Sequence, residues 1–92
     1  MKYRIKLTPL ADNQYDEWVK SGNQSVLRKL ITLFKELEEH PTYGIGKPEK
    51  LKGNLQGLWS RRITKADRVI YNIDGDLVIV SVLSLKRHYG DK

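Results

Sequence analysis

Apolar and polar residues alternate from the first positions of the chain. Tyr3, Ile5 and Leu7 are separated by Arg4 and Lys6, the period of two required by a strand with one buried and one wet face. This predicts a strand over 2–7, after which the period changes. Thr8 followed by Pro9 is a helix start, because the threonine hydroxyl accepts from free N–H groups and proline has no N–H for the first turn to waste. Ala11, Tyr15 and Trp18, with Leu10 and Val19 beside them, supply an apolar face. Ser21-Gly22 then ends the helix at a residue that tolerates positive φ. Asn23 caps a second helix, in which Val26, Leu27, Leu30, Ile31, Phe34 and Leu37 recur at three- and four-residue steps before the stop at Pro41.

Residues 41–57 hold Gly44, Gly46, Pro48, Gly53 and Gly57 among several lysines, which predicts an ordered basic loop without regular structure. Three strands follow, Leu58 to Thr64, Arg68 to Ile73 and Leu77 to Leu85, joined by turns at Lys65-Ala66-Asp67 and Asp74-Gly75-Asp76. They form an antiparallel meander whose last strand, apolar on both faces, belongs at the centre of a sheet. The order β-α-α-β-β-β predicts one α+β domain over 1–92. Its antiparallel sheet has about four strands, with an N-terminal helical hairpin packed on one face and the other face free.

Composition narrows the class. A chain of 92 residues with 39% apolar and 30% charged residues builds one modest core and is not a disordered chain. The absence of cysteine excludes disulfides and thiolate zinc sites and fits a reducing cytoplasm. The longest apolar stretch, Leu77 to Leu85, is interrupted by Ser81 and Ser84 and is less than half of the roughly 20 residues a spanning helix needs. Met1-Lys2-Tyr3-Arg4 is basic, but no apolar run follows it, so neither a secretory signal nor a membrane partner is expected. Seventeen Lys and Arg against eleven Asp and Glu leave a net charge of +6, which favours a nucleic acid or an acidic protein as partner.

Most of the polar residues with a plausible chemical role lie in three segments: Gly46-Lys47-Pro48-Glu49-Lys50-Leu51-Lys52, Trp59-Ser60-Arg61-Arg62-Ile63 with Arg68, and Arg87-His88-Tyr89. In content, order and spacing, Gly-Lys-Pro-Glu with Leu-Lys, then Gly-x-Trp-Ser-Arg-Arg-Ile-Thr, then Arg-Val-Ile-Tyr and a late His-Tyr resemble the YoeB/Txe toxins of the RelE/ParE superfamily. The resemblance covers nearly the whole chain, although this chain continues past His-Tyr with Gly90, Asp91 and Lys92, where those toxins commonly stop.

The resemblance implies the toxin of a type II toxin–antitoxin system. Such a toxin enters the ribosomal A site, meets messenger and ribosomal RNA, and cuts the message without a metal or other cofactor. It implies a cognate, YefM-like antitoxin with an acidic segment, and a homodimer as a further state. It also implies the site. Glu49 takes the place of the general base, and Lys47, Lys50 and Lys52 beside it favour the carboxylate that a base requires. Arg68 takes that of the arginine that stabilises phosphate charge, His88 that of the general acid, and Tyr89 orients the phosphate or stacks on a base. Lys47, Lys52 and Arg62 are expected to bind RNA, while Arg61 points to the other sheet face.

Plainer readings exist for each residue. Glu49 could only balance loop lysines, Arg62 and Lys52 could be solvated charges, and His88 and Tyr89 could be an idle chain end. Trp18, Phe34 and Trp59 fall on apolar periods and are expected in the core, and His40 sits where it would meet the negative pole of the second helix. Two histidines so far apart make no metal site. Two other functions compete: a non-catalytic ParE-like toxin that poisons gyrase by contact, and a repressor that uses the helical hairpin to bind DNA.

Overall fold

The computed structural model describes residues 2–84. Strand β1 (Arg4–Leu7) leads into helices α1 (Pro9–Ser21) and α2 (Gln24–Glu39), followed by strands β2 (Glu49–Lys50), β3 (Trp59–Arg62), β4 (Arg68–Asp74) and β5 (Leu77–Val82). The helix boundaries follow from the capping chemistry. The Thr8 hydroxyl accepts from the Ala11 N–H at 3.3 Å, and Pro9 opens the first turn. Gly22 closes α1 at φ 71°, a left-handed conformation that glycine adopts without a Cβ penalty. Asn23 Oδ1 accepts from the Val26 N–H at 3.1 Å to start α2.

The sheet has five strands in the order β1-β5-β4-β3-β2 and is mixed, which corrects the expected antiparallel sheet of about four. β1 runs parallel to β5, with Arg4 opposite Leu77 and Leu7 opposite Val80. No tight turn joins these two strands, so the alternation that identified β1 carried no information about its direction. The fifth strand lies in the segment read as an irregular loop. Glu49 and Lys50 pair antiparallel with Ser60 and Trp59, and the Leu51 N–H donates to the Leu58 carbonyl at 2.9 Å. Two residues between Pro48 and a glycine-rich stretch leave no periodic signature. β3, β4 and β5 form the expected antiparallel meander and both helices lie on one face; β5 is an interior strand between β1 and β4, while β4 holds the centre.

The core lies between that face and the helices. Val26, Leu30, Leu33 and Leu37 of α2 and Ala11 and Trp18 of α1 pack with Val69, Tyr71, Val78 and Val80 of the sheet. Ile31, Leu10 and Val19 are exposed instead of joining it, and Leu33, omitted from the periodic reading, is fully buried. Phe34 and Trp59 pack against the core as partly buried residues. A buried glutamine replaces an apolar contact on α1. Gln14 accepts from the Leu83 N–H at 2.7 Å and donates to the Ser84 carbonyl at 3.1 Å, while the Trp18 indole donates to the Leu83 carbonyl at 3.0 Å. Leu83 and Ser84 lie just beyond β5, and Gln14 and Trp18 supply hydrogen bonds that their buried backbone needs. Among the described residues, no helix is long and apolar enough to cross a membrane.

Candidate active site

The face opposite the helices carries the polar chemistry, because alternation along β2, β3 and β4 turns the same set of residues outward. Glu49 lies opposite Ser60, Ser60 opposite Ile70, and Arg62 directly opposite Arg68. Like charges facing each other across a strand pair are destabilising. The Arg62–Arg68 pair is therefore a place where an anion lowers the energy of the fold itself. The turn between β3 and β4 fixes it. The Thr64 hydroxyl accepts from the Ala66 and Asp67 N–H groups and donates to the Asp67 carboxylate, which also accepts from the Ser84 hydroxyl at 3.1 Å. The N–H groups of Ile63 and Thr64 donate to the Asp67 carbonyl.

One carboxylate meets this pair. Arg68 Nη1 lies 3.7 Å from Glu49 Oε1 and donates to the Ser60 hydroxyl at 3.2 Å. The first distance is an ion pair and too long for a hydrogen bond, so Ser60 orients the guanidinium while Glu49 keeps its acceptor oxygens available. The Glu49 side chain is 65% exposed and that of Arg68 32%. A substrate can reach both, and solvent screening makes their attraction worth less than about 1 kcal/mol to stability. Lys47, Pro48, Glu49, Arg62 and Arg68 together line a depression of about 360 Å³. It is suited to a phosphodiester: two guanidinium groups and an ammonium for its charge, and a carboxylate for a proton.

A second groove, of about 520 Å³, adjoins it. Glu49, Ser60 and Arg68 form its polar edge, and Leu51, Leu55, Leu58, Ile70 and Val82 its apolar wall. The sequence reading assigned no role to Ser60 or to these side chains. Stepping by two from Arg62 would have put Ser60 on the active face, but the wall gathers residues from the stretch between β2 and β3, from β4 and from β5, and has no linear signature.

Lys47, Glu49, Arg62 and Arg68 are thus brought together. Lys52 is not among them: it lines a separate depression with Lys50, Leu51, Gly53, Gln56 and Gly57. Lys50 lies opposite Trp59, with its ammonium 5.9 Å from the centre of that ring. His88 and Tyr89, expected as acid and phosphate-orienting group, lie outside the described residues. His40 lies at the C-terminal cap of α2. Among the described residues no three His, Cys, Asp or Glu side chains cluster to hold a metal ion.

Arg61 points away from this face and is fully buried, hydrogen bonded through Nε to the Tyr71 hydroxyl at 3.2 Å. Burial raises the Tyr71 pKa above its ordinary value, while the hydrogen bond and charge of Arg61 pull it partly back.

Comparison with known proteins places this architecture. The family described as "YoeB-like toxin of bacterial type II toxin-antitoxin system" matches residues 8–89, a span that includes His88 and Tyr89. Toxin YoeB of Synechocystis is 42% identical over 79 residues, covering 85% of this chain and 91% of that protein. A heterotetrameric YoeB–YefM toxin–antitoxin complex from Staphylococcus aureus contains a chain that superposes with a TM-score of 0.78 at 30% identity, covering 91% of this chain and 97% of that one. The YoeB dimer from the same bacterium matches equally well, with a TM-score of 0.78 at 30% identity and coverage of 91% and 97%. A family match over most of the length, on a fold of the same shape, establishes that this chain belongs to the YoeB-like toxins of bacterial type II toxin–antitoxin systems.

Proposed function

We propose that this toxin is an endoribonuclease that cuts messenger RNA in the ribosomal A site by general acid–base catalysis. The observation that carries the reading is the Glu49 carboxylate beside Arg68 and the facing Arg62 on an open, accessible sheet face. Glu49 takes the proton of a ribose 2′-hydroxyl, and the 2′-oxygen forms a bond to the adjacent phosphorus. Arg68, with Arg62 and Lys47, stabilises the charge that gathers on the phosphoryl oxygens. The bond from phosphorus to the 5′-oxygen then breaks, and His88 gives that oxygen its proton, with Tyr89 orienting the phosphate. The products are a 2′,3′-cyclic phosphate and a 5′-hydroxyl end. Both proton transfers use side chains, so no metal is required. Lys52, on its own depression, contacts RNA away from the scissile phosphate.

The partners follow from the same reading. A cognate YefM-like antitoxin silences the toxin, and a second copy of the chain forms a dimer; the complex and dimer of the S. aureus relatives support both. The ribosome as target places the action in the cytoplasm.

The test is cleavage of ribosome-bound mRNA by purified toxin, with analysis of the ends. Glu49→Gln, Arg68→Ala and His88→Gln are each expected to lose about 10²–10⁴ in rate while remaining folded. Cleavage survives a chelator at concentrations that leave the ribosomes intact. Near-wild-type cutting by one of the variants removes that residue from its role, and 5′-phosphate ends overturn the mechanism. Absence of any cleavage, with gyrase inhibited instead, would favour the contact-poison reading.

A further inference from the structure

Arg61 is the largest fully buried side chain that the proposed chemistry does not use. A buried guanidinium is costly unless its N–H groups find acceptors, and it has five of them. Here five acceptors surround it. Nε donates to the Tyr71 hydroxyl, and Nη1 donates to Glu36 Oε1 at 3.2 Å and to the Ile45 carbonyl at 3.3 Å. Nη2 donates to the Tyr43 carbonyl at 2.9 Å and to the His40 carbonyl. Three of the five are backbone oxygens of one segment, 40–45, that has no helix or strand to hold it.

The two side-chain partners of Arg61 also hold the same segment directly. Glu36 Oε1 accepts from the Ile45 N–H at 3.3 Å, and the Tyr71 hydroxyl donates to the Pro41 carbonyl at 2.5 Å. The Arg62 N–H donates to the Gly46 carbonyl at 2.7 Å. Space is tight: a Cβ at Gly44 would lie 1.9 Å from Glu36 Oε1. Lys47 follows at φ 51°, the one positive φ outside glycine among the described residues. Such a backbone persists where its surroundings over-determine it. Pro48 and Glu49 come next.

We propose that Arg61, through Glu36 and the carbonyls of 40–45, is a positioning residue that sets where Lys47 and Glu49 stand against Arg68. The adjacent residues Arg61 and Arg62 face opposite sides of β3, so one strand carries both the clamp and the phosphate-binding charge. The inference rests on Glu49 being the base of the proposed reaction. Misplacing a base by about 1 Å costs up to about 10²-fold in rate, which makes the clamp a determinant of turnover more than of RNA affinity.

The test uses substitutions that spare the buried guanidinium itself. Glu36→Ala removes the ion pair, Glu36→Gln keeps an acceptor oxygen, and Gly44→Ala forces a Cβ against Glu36. Gly75→Ala is the control, with φ 60° and open space around it, in the turn between β4 and β5. Single-turnover cleavage of ribosome-bound mRNA and amide hydrogen exchange of residues 45–50 are measured on each folded protein. Glu36→Ala and Gly44→Ala are expected to speed exchange over 45–50 and lower the saturated rate about tenfold or more, with half-saturation unchanged. Glu36→Gln restores most of the rate, and Gly75→Ala changes neither readout. Should the wild type cut no RNA, the nuclease reading fails and exchange alone decides the clamp: unaltered protection of 45–50 overturns it. Should the wild type cut and the loosened variants cut equally fast, the clamp has no positioning role.

Discussion

Arg61 and Arg62 are chemically identical neighbours, and the pleat of β3 gives them opposite duties. Arg62 stands outward against Arg68, while Arg61 is sealed behind the sheet. Tyr71 is the partner through which the buried side responds to pH. Burial raises its pKa, and Arg61, by hydrogen bond and charge, offsets this in part. The phenol therefore holds its proton more tightly in the folded chain than in the unfolded one, where it ionises near its ordinary value of about 10. Above that pH the unfolded state loses the proton first, so the stability linked to Tyr71, fully present at neutral pH, declines as pH rises toward the folded value. In Tyr71→Phe the hydroxyl bonds to Pro41 and Arg61 are gone, and about 1–3 kcal/mol is expected to be lost at neutral pH. The deficit should narrow above about pH 10, since only the wild type carries this titration. Urea unfolding of both proteins at neutral and alkaline pH measures the gap; a deficit that widens with pH contradicts the assignment.

At the scale of elements, what could be read from the chain depended on whether the signal was local. Thr8-Pro9, Ser21-Gly22, Asn23 and Pro41 bounded both helices because capping is a contact within one turn. Which side of α2 faces the sheet was harder. Leu30, Ile31, Leu33 and Phe34 follow one another closely, and a stripe through Ile31 is as periodic as one through Leu33. Only the sheet decides, burying Leu33 with Val26, Leu30 and Leu37 and leaving Ile31 52% exposed. Leu33→Ala should cost about 2–5 kcal/mol and Ile31→Ser less than about 0.5 kcal/mol, as read by chemical denaturation. Equal losses at both sites would mean that α2 is rotated about its axis from the position described. The direction of β1 was illegible because it depends on a partner strand far away in sequence, and the existence of β2 because two residues carry no periodicity. The candidate site divides in the same way. Glu49, Arg62 and Arg68 stood in a recognisable pattern of motifs, whereas the partners of Arg61 include backbone carbonyls that any residue would supply.

At the scale of the whole molecule, the two helices cover one sheet face and, among the described residues, leave the other open, in a protein of net charge +6. That open face gathers Lys47, Arg62 and Arg68 around one carboxylate, and Arg62 and Arg68 repel each other when no anion is present. In the proposed reaction an RNA phosphate would relieve the repulsion. An acidic segment of an antitoxin can relieve it in the silent state, ordering on contact as flexible acidic segments do. Substrate and inhibitor are then expected to compete for the same charges. Arg62→Ala should weaken both: it removes one phosphate-binding charge, so RNA affinity should fall less steeply with added salt, by roughly one counterion in the slope. Affinity for the cognate antitoxin should drop and lose part of its salt dependence in parallel. The decisive measurement is solvent protection of the complex, by amide exchange or chemical footprinting, with Arg62→Ala titrated alongside. Protection of 47–50, 60–62 and 68–70 is the expected result. A complex that leaves those residues as exposed as in the free toxin, or an Arg62→Ala toxin bound as tightly and with the same salt slope as the wild type, would place the inhibitory contact elsewhere on the molecule.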